Sequence, residues 1–282
     1  KRNGGFMQRG HEIEEDIFKS DHIQQVLTEI ETTFPKYFSS FQSSQMQLQL
    51  LFAKAIAEYE SEQEGYRKYM NIDALFEFED NPAAFKRETK TKCPIIRRCL
   101  MAQDEVMKQY KIAFNEITGR QLLNGVRKIA EFGKEYVASY DDVEHEHIQS
   151  YTELKLDPLN KPEYGCPGVI GYGVQSSLLY GQYPHAFAHR SQNAVWSLYF
   201  ITNRKDFGLK DASEFLMVQP KYNTCEQNYF YPADLFAFYA LKLYLMLKKA
   251  CKGMRINFVD RYRYIYLSTF TDYIAGVHRD DI

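Results

Sequence analysis

Acidic residues and histidines of the kind that bind metals form one short run near the middle of this 282-residue chain. Asp142, His145 and His147 fall within six positions, and Glu144 adds a Glu-x-x-His spacing. Carboxylates and neutral imidazoles are the ligands that divalent transition metals take in proteins. The run therefore predicts Asp142, His145 and His147 as metal ligands, and a divalent metal is the cofactor that it suggests.

A carboxylate-x-lysine unit, Glu153-Leu154-Lys155, follows the acidic run. In metal-dependent nucleases such a carboxylate helps to hold the ion, and the lysine orients or activates the attacking water. A strand over residues 151–156 would place Glu153 and Lys155 on the same face. Random placement of the acidic residues and lysines also produces this unit, as it does at Glu88-Thr89-Lys90. Glu153 and Lys155 are predicted catalytic residues on this pattern alone.

A second group of candidate catalytic residues lies in a segment rich in tyrosine, histidine and arginine, residues 172–196. His185 and His189 are four residues apart, which on a helix puts both imidazoles on one face. Arg190 completes the predicted set, because these residue types stack on bases and bind their edges or phosphates. A buried polar network is the alternative. Any site is expected in this segment, with Asp211 and Glu214 nearby.

A basic block spans residues 81–134, with a net charge of +7 although the whole chain has −2. Its dense part predicts a nucleic-acid-binding surface made of Lys86, Arg87, Lys90, Lys92, Arg97 and Arg98. Several cations on one face would neutralise several phosphates. Two alternatives remain open: a solvated surface, or a surface that faces the acidic blocks of the same fold or of another copy.

Composition and missing motifs exclude several classes of protein. With 45% hydrophobic residues the chain can form a core, so it is neither collagen-like nor wholly disordered. Five widely spaced cysteines without a Cys-x-x-Cys pair fit neither a zinc ribbon nor a disulfide framework and favour a reducing, cytoplasmic setting. The apolar stretch 235–247 is too short to cross a bilayer, and no leader is apparent, so no membrane is expected.

Hydrophobic periodicity predicts a mainly α fold. Helices are expected over residues 14–30, 45–59, 102–117, 121–138, 192–202 and 235–247, and strands over 214–219 and 262–269. Proline and glycine cluster between residues 157 and 173, which predicts a linker or loop. The expected organisation is an N-terminal helical bundle, residues 1–157, followed by an α+β region with a small sheet, residues 158–282. The two regions are also compatible with packing as one unit.

Two functional hypotheses follow. The first is an intracellular protein that interacts with nucleic acid, as a metal-dependent hydrolase of the nuclease type. The alternative is a non-catalytic helical module that binds a protein partner or forms a homo-oligomer through its charged blocks. The 22 tyrosines and 20 phenylalanines are compatible with the alternative, because aromatic side chains are enriched at interfaces.

Overall fold

Helices dominate the protein. A computed structural model describes residues 15–42, 44–104, 107–208, 213–219 and 224–281. The structure is 73% helical, with twelve α-helices and one two-stranded sheet in the described ranges, so the expected mainly α class with a small sheet is confirmed. No helix in these ranges is both long enough and apolar enough to cross a membrane.

Eight α-helices precede residue 150, and several begin at the capping residues that their sequence supplies. They are α1 Ser20–Phe41, α2 Gln45–Met70, α3 Ile72–Phe76, α4 Pro82–Lys92, α5 Pro94–Met101, α6 Met107–Glu116, α7 Gly119–Ala138 and α8 Asp142–Glu146. The Ser44 side chain accepts from the backbone N–H of Gln47 at the start of α2. Thr118 and Gln121 form a reciprocal capping box at α7. Local hydrogen bonds thus set where these helices start.

The C-terminal half contains four α-helices and the sheet. They are α9 Tyr172–Gln182, α10 Gln192–Ile201, β1 Leu216–Gln219, β2 Thr224–Gln227, α11 Ala233–Gly253 and α12 Arg263–Val277. β1 and β2 are antiparallel, with Leu216 opposite Gln227. The strand expected over residues 214–219 is present as β1, and the helices expected over 192–202 and 235–247 are α10 and α11.

The strand expected over residues 262–269 is wrong, because this segment forms the beginning of α12. Aromatic and β-branched residues there favour a strand locally. In the fold, five consecutive residues of α12 are buried, from Arg263 to Leu267, since the helix packs against α2, α10 and α11. A helix buried on nearly all sides has no polar face, so its sequence lacks the helical period.

One hydrophobic core contains buried residues from both predicted regions. α2 packs against α9 and α12, and α7 packs against α4 and α9. The proline- and glycine-rich segment expected as a linker is also packed: it forms short 3₁₀ turns at Asp157–Asn160 and Pro162–Tyr164, and Leu159, Val169 and Ile170 are buried. The side chains that could do chemistry are therefore held on a continuous helical framework.

Candidate functional site

The three predicted metal ligands around α8 point to three different partners. Asp142 pairs with the guanidinium of Arg263, Oδ1 to Nη1 at 2.9 Å. The His145 ring is buried, with Nε2 2.8 Å from the Tyr264 hydroxyl. His147 is exposed and its Nδ1 donates to the carbonyl of Val143 at the other end of the helix. Within the described ranges no three His, Cys, Asp or Glu side chains are grouped to hold a metal ion.

The predicted strand that would align Glu153 with Lys155 is absent. Residues Tyr151–Leu154 form a 3₁₀ turn that begins with a hydrogen bond from the Thr152 N–H to the Ser150 hydroxyl. Lys155 then adopts a left-handed conformation with φ 54°, which ends the turn. Glu153 accepts from the backbone N–H of Gln149. Because the chain turns here, the two side chains do not share a strand face, and both are exposed to solvent.

His185 and His189 do not lie on a helix, since this stretch is a turn and extended segment between α9 and α10. Pro184 prevents α9 from continuing. His185 packs edge-on to Tyr140, with ring centroids 5.3 Å apart. His189 stacks on Tyr180, with centroids 4.8 Å apart and ring planes 10° apart. The two imidazoles therefore have different surroundings and do not form a metal pair.

Arg190 points into the protein and is only 3% exposed. Its Nη2 donates to the backbone carbonyl of Asn228 at 2.6 Å, and its guanidinium lies over the Tyr172 ring. Glu214, expected nearby, is buried in another cluster, where its carboxylate pairs with His22 and accepts from the Tyr231 hydroxyl. Asp211 lies outside the described residues.

The predicted nucleic-acid-binding cations fall into two groups. Lys86 donates to the carbonyls of Asn115 and Ile117 at the end of α6, and Arg98 pairs with Glu62. The other four, which we call the α4–α5 basic surface, have exposed side chains: Arg87, Lys90, Lys92 and Arg97. The only one of these four with an ion pair to a described residue is Lys92, which lies 3.5 Å from Glu88. Four of the six predicted cations are thus available to a phosphate.

His189 opens into a groove of about 410 Å³, here called the His189 groove, between α2, α9 and α12. Arg98 of α5 forms one end of it. The Tyr59 hydroxyl donates to the carbonyl of Gly181 at 3.0 Å, which joins α2 to the end of α9. The Tyr59 ring meets the Tyr180 ring edge-on at 5.9 Å. Tyr180, His189 and Tyr59 therefore give the groove an aromatic floor.

The tautomer of His189 follows from its hydrogen bonds. The Ser177 hydroxyl donates to the Gly173 carbonyl at 2.7 Å, so its single proton is used. The His189 Nε2, 2.9 Å from the same hydroxyl, must then carry a proton and donate. Burial, together with the charge of Arg98, lowers the pKa of His189 to about 4. The ring is therefore neutral near neutral pH, and its Nδ1 is an acceptor that receives no hydrogen bond from a described residue.

Carboxylates line the walls of the His189 groove. Glu62 accepts from Nη1 of Arg98 at 2.8 and 3.0 Å, while Nη2 of Arg98 donates to the Tyr66 hydroxyl at 2.7 Å. On the other wall Asp272 accepts from the Asn193 amide at 2.8 Å. Desolvation raises the pKa of the Asp272 carboxyl above its ordinary value. The groove is rich in acceptors, with Arg98 as its one cation among the lining residues.

Burial of neutral imidazoles makes the stability of the protein sensitive to acid. Burial, with the charges of Arg263 and His185, lowers the pKa of His145 to about 3, and that of His189 is about 4. In the unfolded chain both rings titrate near 6.5. Below that pH the unfolded state binds more protons, so stability falls by about 1.4 kcal/mol per pH unit for each ring.

Urea unfolding at about pH 7 and at about pH 5 gives the free energy of unfolding at each pH, and the difference between the two values measures this loss. In the His145→Gln variant, which keeps a polar partner for Tyr264, we expect the difference in unfolding free energy between the two pH values to shrink by about 2 kcal/mol, because one titrating ring is removed. An unchanged difference would contradict the assignment of His145 as a neutral buried ring.

Sequence reasoning identified His189 and Arg98, and the segment 172–196 includes Tyr180, but it missed the groove residues of α2 and α12. The high proportion of aromatic and polar residues in 172–196 was the feature that indicated this segment. Tyr59, Glu62 and Asp272 lie on α2 and α12, far away in the chain, and nothing local distinguishes them from other surface residues. Comparison of the chain with models of known protein families, with curated proteins and with solved structures finds no match.

Proposed function

We propose that the protein binds single-stranded nucleic acid, with an unstacked base in the His189 groove and the neighbouring phosphates on the α4–α5 basic surface. The observation that carries this proposal is the junction of the two features at α5. Arg98 forms the end of the groove, and the exposed Arg97 precedes it in the same helix. A strand that leaves the groove past Arg98 meets Arg97 next.

The lining of the groove suits a base better than a phosphate. Its volume of about 410 Å³ is within the roughly 300–1,000 Å³ typical of ligand sites. Nδ1 of His189 and the carboxylates of Glu62 and Asp272 would accept from the amino groups of a base, and tyrosine rings offer apolar faces. The same carboxylates repel phosphate. They would therefore keep the backbone outside the groove, where the cations are.

The α4–α5 basic surface would supply the electrostatic part of the affinity. Arg87 and Lys90 are three residues apart on α4 and so share a helix face. For single strands each phosphate contact contributes about 0.7 to the slope of log affinity against log salt. Contacts from all four cations would give a slope of about −3.

Metal-dependent cleavage remains a prediction from the sequence. The described residues supply a base-accepting groove, whereas Asp142, Glu153 and His185 each have separate surroundings. We therefore propose binding alone. Hydrolysis is tested in the same samples, by incubating labelled strands with magnesium or manganese and analysing their length on a denaturing gel.

We further propose that the protein works in a reducing compartment such as the cytoplasm. The four cysteines with described side chains, Cys93, Cys99, Cys166 and Cys251, are all free. Burial raises the pKa of Cys93 and of Cys251 to about 12. Thiols held in this way are unreactive and need no disulfide partner.

Fluorescence anisotropy with labelled single-stranded RNA and DNA, and with duplexes, tests the binding proposal. We expect single strands to bind in preference to duplexes. The double variant Lys90→Glu, Arg97→Glu is expected to weaken binding at least tenfold at moderate salt, because it reverses two phosphate contacts. Its matched control is Lys249→Glu, Lys252→Glu, which makes the same change of charge on exposed lysines of α11 and should bind as the unmodified protein does.

A second variant tests the groove separately from the cations. Ser61 is exposed on α2 and lines the groove, so Ser61→Trp would fill the groove without disturbing the core. We expect Ser61→Trp to bind nucleic acid more weakly, while the slope of log affinity against log salt concentration stays unchanged. Unchanged affinity of the Ser61→Trp variant would contradict binding in the groove. Equal affinity of the Lys90→Glu, Arg97→Glu protein and its control would contradict binding at the α4–α5 basic surface.

Contact with a protein partner or a second copy is the second candidate function. Its supporting observation is the apolar side chains of Met46 and Leu50, one helical turn apart on α2 and 68% and 62% exposed. Sedimentation velocity on the same samples separates the two candidates. A chain that binds no strand but sediments as a dimer favours the second.

A further inference from the structure

Arg190 is a buried cation that has no carboxylate partner in the part of the chain that the structure describes. It is 97% buried, and its Nε has no hydrogen-bond partner among the described residues. Its side chain donates to the Asn228 carbonyl and lies over the face of the Tyr172 ring. Burial lowers the pKa of Arg190 to about 10, and no carboxylate among the described residues acts against that shift. A charge taken out of water in this way requires compensation.

A small cavity adjoins the Arg190 side chain. The cavity has a volume of about 30 Å³, which is room for one or two water molecules. Polar side chains of Arg190, Tyr172, Gln175 and Ser176 line one side, and apolar residues such as Phe187 and Phe236 line the rest. The space is too small for an organic acid or a phosphate ester, but it would hold a chloride-sized ion.

Two helix N-termini add positive potential to the same cavity. The first turns of α9 and α11 both line it, through Tyr172 and Gln175 on α9 and through Ala233 and Phe236 on α11. The N-cap residues Gly171 of α9 and Pro232 of α11 supply no side-chain cap, and the first N–H of α11, that of Ala233, donates to Oδ1 of Asn160 at 2.7 Å. The N-terminus of a helix carries a partial positive charge and attracts anions.

The carboxylate in the first turn of α11 already has hydrogen-bond partners other than Arg190. Asp234, in the first turn of α11, accepts from the amide of Asn160 at 2.8 Å and from the N–H of Leu235 at 2.9 Å. It forms no ion pair with Arg190. Gln175 donates its amide protons to the carbonyls of Leu159 and Tyr164, so it is fixed beside the cavity. The charge of Arg190 therefore remains without an anion from the described residues.

We propose that this cavity is a structural binding site for a small monovalent inorganic anion of chloride size, bound by the Arg190 guanidinium where α9 and α11 begin. The bound ion supplies the negative charge that the fold omits. It also stabilises the packing of residues 157–173 against the two helices. This site is separate from the His189 groove, and neither proposal depends on the other.

Thermal unfolding in sodium chloride and in sodium gluconate at equal ionic strength tests this site. Gluconate is too large for the cavity. We expect the melting temperature to rise with the logarithm of the chloride concentration once that concentration exceeds the dissociation constant. Above the dissociation constant, each tenfold increase in chloride should multiply the folding equilibrium constant tenfold. Arg190→Met is expected to abolish this dependence, whereas Arg261→Met, which removes an exposed arginine, keeps it.

A second variant covers the case in which Arg190→Met does not fold. Ala237 lines the cavity, and Ala237→Leu would occupy the space of the ion while Arg190 remains. Loss of the chloride dependence in this variant supports the site. Crystals soaked in bromide should show an anomalous peak at hydrogen-bond distance from Arg190. Equal melting temperatures in chloride and gluconate, or no bromide at Arg190, would overturn the proposal and assign the cavity to water.

Discussion

Replacing Arg263 by methionine is expected to lower the free energy of unfolding by about 3 kcal/mol. The Arg263 side chain is completely buried. It donates to Asp142 at 2.9 Å, to Glu146 at 3.2 Å and to the His185 carbonyl at 2.6 Å, and it also donates to the Tyr140 hydroxyl. One guanidinium thus joins α12 to α8 and to the loop before α10.

The size of this effect follows from what the variant leaves behind. Removing one partner of a buried ion pair costs about 3–5 kcal/mol when the other charge stays buried. Asp142 and Glu146 are 46% and 22% exposed, so water rehydrates them in part. Lys248 also stays with Glu146 at 2.6 Å. These facts place the expected loss at the lower end of the range.

Urea unfolding followed by circular dichroism measures the loss. Arg261→Met is the matched control, because Arg261 is 65% exposed and pairs with Glu60 on the surface. Its expected effect is below about 1 kcal/mol. Similar stabilities for the two variants would show that the Arg263 contacts add nothing beyond a surface pair.

Replacing Gly181 by alanine is expected to destabilise the protein by about 3 kcal/mol, through overpacking between α2 and α9. A Cβ at Gly181 would lie 2.3 Å from Cγ of Tyr66 and 2.5 Å from its Cδ1. The Tyr66 ring is 5% exposed and its hydroxyl is bonded to Arg98, so the ring has little room to move. The two helices would have to separate, and the His189 groove would change shape.

Gly276→Ala provides the control for helix propensity. Gly276 lies in α12 with nothing within 4 Å of its added Cβ. Alanine there is expected to stabilise the protein by up to about 1 kcal/mol, because it reduces the entropy of the unfolded chain. Opposite signs for the two glycine variants are the expected result in urea unfolding. A stabilising Gly181→Ala would show that α2 and α9 are not in close contact.

Sequence patterns were informative where one side of an element faces water. The apolar spacing in residues 45–59 and 121–138 identified α2 and α7, and the apolar run at 235–247 identified α11, although each helix extends further than the pattern. The capping box of Thr118 and Gln121 sets the start of α7. These features depend on near neighbours in the chain, which a single sequence displays.

The chemistry of the candidate residues depended on distant parts of the chain. Asp142 meets Arg263, and His145 meets Tyr264, each pair more than 100 residues apart. The acidic run therefore resembled a metal site only while its partners were unknown. In the same way, Arg190 was expected at a catalytic site, and its burial next to a small cavity appears only in the fold.

By itself the sequence determined the mainly α class and, to within two residues, the starts of α2, α7, α10 and α11, whereas the helices expected from residues 14 and 102 begin at Ser20 and Met107. Only the tertiary structure decided that residues 262–269 are helical and that α2, α9 and α12 meet at a groove. It also decided which charges are paired. The physical reason is that periodicity and capping are local, whereas burial and ion pairing arise from contacts between segments far apart in the chain.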